Sequence, residues 1–192
     1  GAELFLYQSG YLTIKGYDEG VYFLGIPNQE VRQSLNSIVL PALAMRRNGD
    51  IQSAQAMLTV HLRNGNLPEA KKLLKALIAD VPYSNKKLAS MDMEERYRLI
   101  MSTIFNAIGF RVEVERMLST GRIDIVVETP RIIYVMELKL SNNGGISAAE
   151  QQICENRYIE PFKADGRKVI ALAVELDAMG KGLVDWKVCQ SN

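Results

Sequence analysis

Two short runs of strand-forming residues, Ile123–Val127 and Ile132–Leu138, each carry one carboxylate among apolar neighbours, and this constrains the fold more than any other feature of the chain. Both runs are rich in β-branched and aromatic residues and read as neighbouring β-strands. A buried carboxylate without a partner is costly, so Asp124 and Glu137 call for an explanation. Side chains alternate along a strand, which puts Glu137 and Lys139 on one face and Leu138 on the other. If the adjacent strand brings Asp124 alongside, two acids and an amine converge on one spot. Two acids need a cation between them, and oxygen-only ligands favour Mg²⁺ or Mn²⁺. A lysine beside a metal-bound water suits the cleavage of a phosphodiester. The competing reading is a salt bridge of Lys139 with Asp124 or Glu137 on an edge strand that faces water.

At 192 residues, 47% hydrophobic and 23% charged, the chain is long enough for one sizeable core or two small ones. No apolar stretch reaches the length of a bilayer and no basic-then-apolar leader opens the chain, so a cytoplasmic protein without a membrane partner is expected. Gly1 in first place leads to the expectation of a piece of a longer protein. Cys154 and Cys189 form no metal-ligand spacing and read as free thiols in a reducing compartment. The single histidine, His61, excludes His-clustered zinc sites and reads as a surface or packing residue of a helix. Any chemistry therefore falls to carboxylates, lysines and a metal. Residues 1–90 hold 10 Lys/Arg against 7 Asp/Glu, and residues 91–192 hold 13 against 15. The second segment is mildly acidic, so tight non-specific DNA binding by it alone is not expected.

Along the chain, Tyr11–Lys15 and Val21–Ile26 flank a Gly- and Asp-containing turn and predict a β-hairpin. Pro27-Asn28 starts a helix with Val31, Leu35, Ile38 and Val39 on one face, kinked or stopped near Pro41. Two short helices follow, capped by Asp50 and Asn66, with Ala54, Leu58 and Leu62 on the first and Ala70, Leu74 and Ile78 on the second. They read as an αα-hairpin rather than a repeat array. Val81–Lys87 marks a boundary. Beyond it the pattern predicts a helix over 92–108, strands over 112–117, 123–128 and 132–140, a helix over 147–162, and strands over 168–174 and 183–188. That order implies α/β architecture, a mixed sheet with helices on its faces. Asp92 with Glu95 fits a helix capping box.

Residues 92–188, carrying Gly121-Arg122-Ile123-Asp124, Glu137-Leu138-Lys139, and Gln152-Ile153 followed by Tyr158, resemble the PD-(D/E)XK nuclease superfamily, the restriction-endonuclease-like fold. Gln8–Lys15, Leu24–Arg32 and Glu94–Arg98 extend the likeness to the C-terminal part of bacterial proteins that join an AAA-ATPase-like domain to such a nuclease. The resemblance implies that residues 1–90 are the tail of the ATPase module, winged-helix-like and helical, and that residues 91–192 are the nuclease-like domain. It makes Asp124 and Glu137 metal ligands and Lys139 the catalytic lysine. Glu94 falls where the family carries a helix glutamate, suited to a second metal or its water. Gln152 falls where a helix glutamine faces the site and can bond a water or phosphate oxygen. Arg122 either contacts a neighbouring phosphate or pairs with Glu115 or Glu128. No phosphate-binding Gly-x-x-x-x-Gly-Lys-Ser/Thr loop occurs.

The implied chemistry is Mg²⁺- or Mn²⁺-assisted phosphodiester hydrolysis, on DNA rather than RNA, coupled to an upstream ATPase, with a homodimer expected if both strands are cut. The rival is a catalytically silent nucleic-acid-binding or protein-interaction module of that ATPase. Trp186 reads as a lid on the core, the tyrosines 7, 11, 17 and 22 as packing residues, and Asn142–Gly145 as the loop leaving the catalytic strand.

Overall fold

The computed structural model describes residues 12–18, 21–28, 30–31, 48–79 and 91–189. A hairpin of β1 (Thr13–Asp18) and β2 (Val21–Gly25) precedes helices α1 (Asn48–Asn64) and α2 (Leu67–Ala79). Then come α3 (Met93–Ala107), β3 (Arg111–Met117), β4 (Arg122–Glu128), β5 (Ile132–Leu140), α4 (Gly145–Glu155), a 3₁₀ turn at Glu160–Phe162, β6 (Lys168–Leu176) and β7 (Leu183–Cys189). Strands β3 to β7 form one mixed sheet in sequence order. β5 and β6 are parallel, with α4 as the connection between them, and every other pair is antiparallel. The expected α/β architecture is therefore present. β5 as a whole lies between β4 and β6, but its β4 ladder ends at Met136, so Glu137–Lys139 is paired with β6 alone, and the burial of Glu137 departs from the edge-strand reading of a segment facing water.

β5 is the middle strand, and both its faces are apolar because the sheet is covered on two sides. Tyr134, Met136 and Leu138 join Ile125, Leu172 and Val174 against Leu58 and Leu62 of α1, Leu74 of α2, and Ile100, Met101 and Ile104 of α3. On the other face Ile133, Val135, Ala171 and Ala173 meet Ala149 and Ile153 of α4, with Tyr158 and Phe162 beyond them. The αα-hairpin thus shares one core with the sheet. Tyr134 donates its hydroxyl to the Leu62 carbonyl at 2.6 Å, and Lys71 of α2 pairs with Asp185 of β7. Trp186 is buried in this same core, as expected.

Several element ends differ from expectation for local reasons. The first hairpin strand runs past its expected end at Lys15 to Asp18, which pairs with Val21. α1 already includes Asn48, so Asp50 lies inside its first turn rather than before it. Gly65 and Gly109 stop α1 and α3 with positive φ, as expected of C-terminal glycines. The helix expected over 147–162 ends at Glu155. Arg157 there takes φ +51, its N–H bonds Cys154 O, and the Tyr158 N–H bonds Ile153 O, a Schellman ending with arginine in the usual glycine position. The contact of Tyr158 with Ile153 in the core holds it. The Asp92 side chain accepts from the N–H groups of Glu94 and Glu95, so it caps α3.

Asn28 caps the Val31 N–H at 2.8 Å. Leu35, Ile38, Val39 and Pro41, the boundary at Val81–Lys87, Tyr7 and Tyr11 lie outside the described residues, and with them the winged-helix-like arrangement. Tyr17 and Tyr22 touch across the hairpin with their rings tilted by 46°, and both are exposed. Among the described residues no helix is long and apolar enough to cross a membrane.

Candidate active site

Pairing of β4 with β5 runs from Glu128/Ile133 to Ile125/Met136 and stops there. The next residue of β4 is Asp124, and its side chain replaces the missing rung by accepting the Leu138 N–H on Oδ2 at 2.9 Å. Asp124 is thereby held beside the one stretch of β5 that carries charge. Both Asp124 and Glu137 are buried, at 6% and 1% exposure. The alternation of β5 turns Glu137 and Lys139 to the α4 side, and their side chains meet at 3.0 Å from Nζ to Oε1. The salt bridge of the competing reading therefore exists, but it is withdrawn from water rather than facing it.

The pair is electrostatically frustrated. Burial pushes the Glu137 carboxyl up to about 7, and the Asp124 charge adds to this, while the Lys139 hydrogen bond pulls the other way. For Lys139 burial opposes the charge. The hydrogen bond it donates to Glu137 and the negative charges of Glu137, Glu94 and Asp124 outweigh it and hold the ammonium above its ordinary pKa. Glu137 Oε2 is buried and has no hydrogen-bond partner among the described residues. Buried carboxylate oxygens are rarely left so, because desolvation is then uncompensated.

The Glu94 side chain, in the first turn of α3, accepts among the described residues a single long 3.5 Å contact, from Asn143 Nδ2 in the loop after β5, and its charge still reaches Glu137. Gln152 does not stand free toward the site: its Nε2 donates to the Tyr158 hydroxyl at 3.0 Å. That hydroxyl donates to the Arg122 carbonyl at 2.7 Å and accepts from Asn156. Gln152 therefore braces the turn into β4. The turn is tight enough that a Cβ at Gly121 would lie 2.9 Å from Asn156 Nδ2 and 3.3 Å from the Tyr158 hydroxyl. Arg122 follows the plainer of its two readings and pairs with Glu115 at 2.8 Å. Cys154 and Cys189 are free thiols, as expected.

Arg98 was missed by sequence reasoning. Its guanidinium bonds Asp124 Oδ1 at 2.8 Å through Nη1 and reaches Glu115 at 3.4 Å through Nη2. The available signal was its spacing of four from Glu94, which stacks both on one face of α3.

The donor set is hard oxygen throughout, and the orphaned Glu137 Oε2 beside Asp124 fits a hard divalent cation such as Mg²⁺ or Mn²⁺. Among the described residues no three His, Cys, Asp or Glu side chains gather into a ready cage. Asp124 and Glu137 are the residues that could hold such an ion, with water completing its shell, as Mg²⁺ usually requires.

The family model described as PD-(D/E)XK nuclease superfamily matches residues 92–186. An uncharacterized protein in the vnfD 5' region of Azotobacter chroococcum mcd 1 is 30% identical over 200 residues, which cover 97% of this chain. The chain spans 37% of that relative's length. No solved structure matches.

Proposed function

Residues 92–186 belong to the PD-(D/E)XK nuclease superfamily, and on that premise we propose that this domain is a divalent-metal-dependent nuclease hydrolysing phosphodiester bonds, in DNA rather than RNA. Asp124 and Glu137 hold Mg²⁺ or Mn²⁺, which when bound supplies a polarised phosphate oxygen and an acidified water. The observation that carries this reading is Glu137 Oε2, a buried carboxylate oxygen with no hydrogen-bond partner among the described residues, next to a second buried acid. Lys139 gives one N–H to Glu137 and keeps two for the attacking water and for charge growing on the phosphate. Glu94 is half-buried on α3 with only a weak contact, so it is free to orient a water at the rim. Gln152 acts at one remove, through Tyr158 and the Arg122 carbonyl, by holding the strand that bears Asp124.

The upstream residues are the tail of an ATPase module to which the nuclease is coupled in the cytoplasm, in keeping with a relative of much greater length. Two copies cooperate where both strands are cut. Incubation of the purified protein with supercoiled plasmid or a structured RNA, with Mg²⁺ or Mn²⁺ and with chelator, tests this. Metal-dependent nicking of DNA is expected, and its loss in Lys139→Ala; equal cleavage by the variant refutes the assignment.

One observation favours a second reading, a catalytically silent module. Both oxygens of Asp124 are already engaged by protein donors, Arg98 and the Leu138 N–H. Calorimetric titration with Mn²⁺ separates the two, since the nuclease reading expects binding that Asp124→Asn abolishes. No binding by the wild type favours the silent module.

A further inference from the structure

Arg98 sits inside the acid cluster and has no part in the reaction proposed above. Its side chain is 12% exposed, so the guanidinium is largely withdrawn from water. Arginine does not relieve this by losing its proton, so the charge stays and only its position can change. One end lies on Asp124 Oδ1 and the other on Glu115 Oε1.

Glu115 lies opposite Asp124, between the rungs Val114/Ile125 and Arg116/Ile123 of the β3–β4 pair. It takes φ +55, a left-handed conformation uncommon for a residue with a side chain. This places an exposed carboxylate where both Arg98 and Arg122 reach it. Arg98 is thus moored at one end and shared at the other. The two Asp124 oxygens differ as well: Oδ2 is fixed by the Leu138 N–H, while Oδ1 is held by a side chain that can turn away.

Resting on the nuclease reading, we infer that Arg98 is a resident counter-ion of the metal site and a positioning residue for Asp124. Without metal it neutralises Asp124 and limits the repulsion between the two buried acids. With metal it competes for the same carboxylate, so that it sets the affinity of the site for a divalent cation. The divalent ion wins because it carries twice the charge, but it binds more weakly than it would to two unopposed carboxylates. The Glu115 mooring receives the displaced guanidinium without returning it to bulk water.

A merely structural arginine predicts that any replacement loosens the site and weakens metal binding. The counter-ion predicts the opposite for neutral replacements. Mn²⁺ is titrated calorimetrically into wild type, Arg98→Met, Arg98→Gln and Arg98→Lys. The two neutral variants bind at least about tenfold more tightly than wild type, and the lysine variant, which keeps the charge, stays within about threefold of it. The metal-free melting temperature falls in Arg98→Met and is recovered by Mn²⁺. Two neutral variants guard against one failing to fold. Unchanged or weaker binding by the neutral variants, with a wild type that binds, overturns the counter-ion role and leaves the nuclease reading standing. Binding by a neutral variant alone supports the inference, and binding by none of the four overturns both.

Discussion

The backbone N–H of Leu138 reaches the side chain of Asp124 at 2.9 Å, at the point where the β4–β5 ladder ends. A side chain takes over a hydrogen bond that the adjacent strand no longer supplies, so the strands part without leaving Leu138 unpaired. This irregularity fixes Asp124, while the alternation of β5 turns the neighbouring Glu137 to the α4 side, and the chemistry of the site begins from the two together.

Glu137 ties stability to pH in metal-free protein. Its folded-state pKa of about 7 lies above its ordinary value of 4.5, so the folded protein binds this proton more tightly than the unfolded chain does. Stability from this group is greatest below pH 4.5, falls as pH rises through the interval from 4.5 to 7, and is lost above it. For a residue this buried the loss is of the order of 3 kcal/mol. Urea unfolding with chelator at about pH 5 and pH 7.5 should show wild type losing stability relative to Glu137→Gln. Identical slopes in the two proteins would contradict the burial of a charged Glu137.

Tyr158 holds the turn into β4 through three hydrogen bonds, to Arg122, Gln152 and Asn156. Tyr158→Phe leaves the Arg122 carbonyl and two amides without their partner, and should cost about 1–3 kcal/mol. Because the turn leads directly into Asp124, metal-dependent nicking should fall with it. Gly121→Ala should act in the same direction through steric contact with the same groups. Normal stability and nicking in both variants would show that the brace is dispensable.

The docking of α1 and α2 on the sheet is testable through Trp186, which lies in the shared core on β7. Leu74→Ala in α2 removes a fully buried side chain and should cost about 2–5 kcal/mol. Tyr134→Phe, which leaves the Leu62 carbonyl only the 3.3 Å bond from the Gly65 N–H, should cost about 1 kcal/mol. Both should shift the Trp186 fluorescence transition together with the circular-dichroism transition. A Trp186 transition unmoved by Leu74→Ala would mean that the hairpin folds apart from the sheet.

The strands around Asp124 and Glu137 were legible because alternation and β-branched runs act locally, and so were the glycine stops at Gly65 and Gly109. The central place of β5 was not legible, because its second neighbour comes from residues 168–176 and pairing over that separation leaves no mark on β5 itself. The end of α4 escaped because an arginine occupies the position that usually signals itself as glycine. Arg98 escaped because its partner Asp124 is 26 residues away, and a face read only for apolar residues passes over it. The bond of Gln152 to Tyr158 was not legible either, since Tyr158 comes into reach only through the Schellman ending.

The most direct test of the central claim compares nicking and Mn²⁺ binding in the same samples of wild type and Lys139→Ala. If Asp124 and Glu137 hold the ion and Lys139 serves the chemistry, the variant keeps Mn²⁺ binding while its nicking rate falls by about a hundredfold or more. Undiminished nicking by a variant that still binds Mn²⁺ would contradict the account.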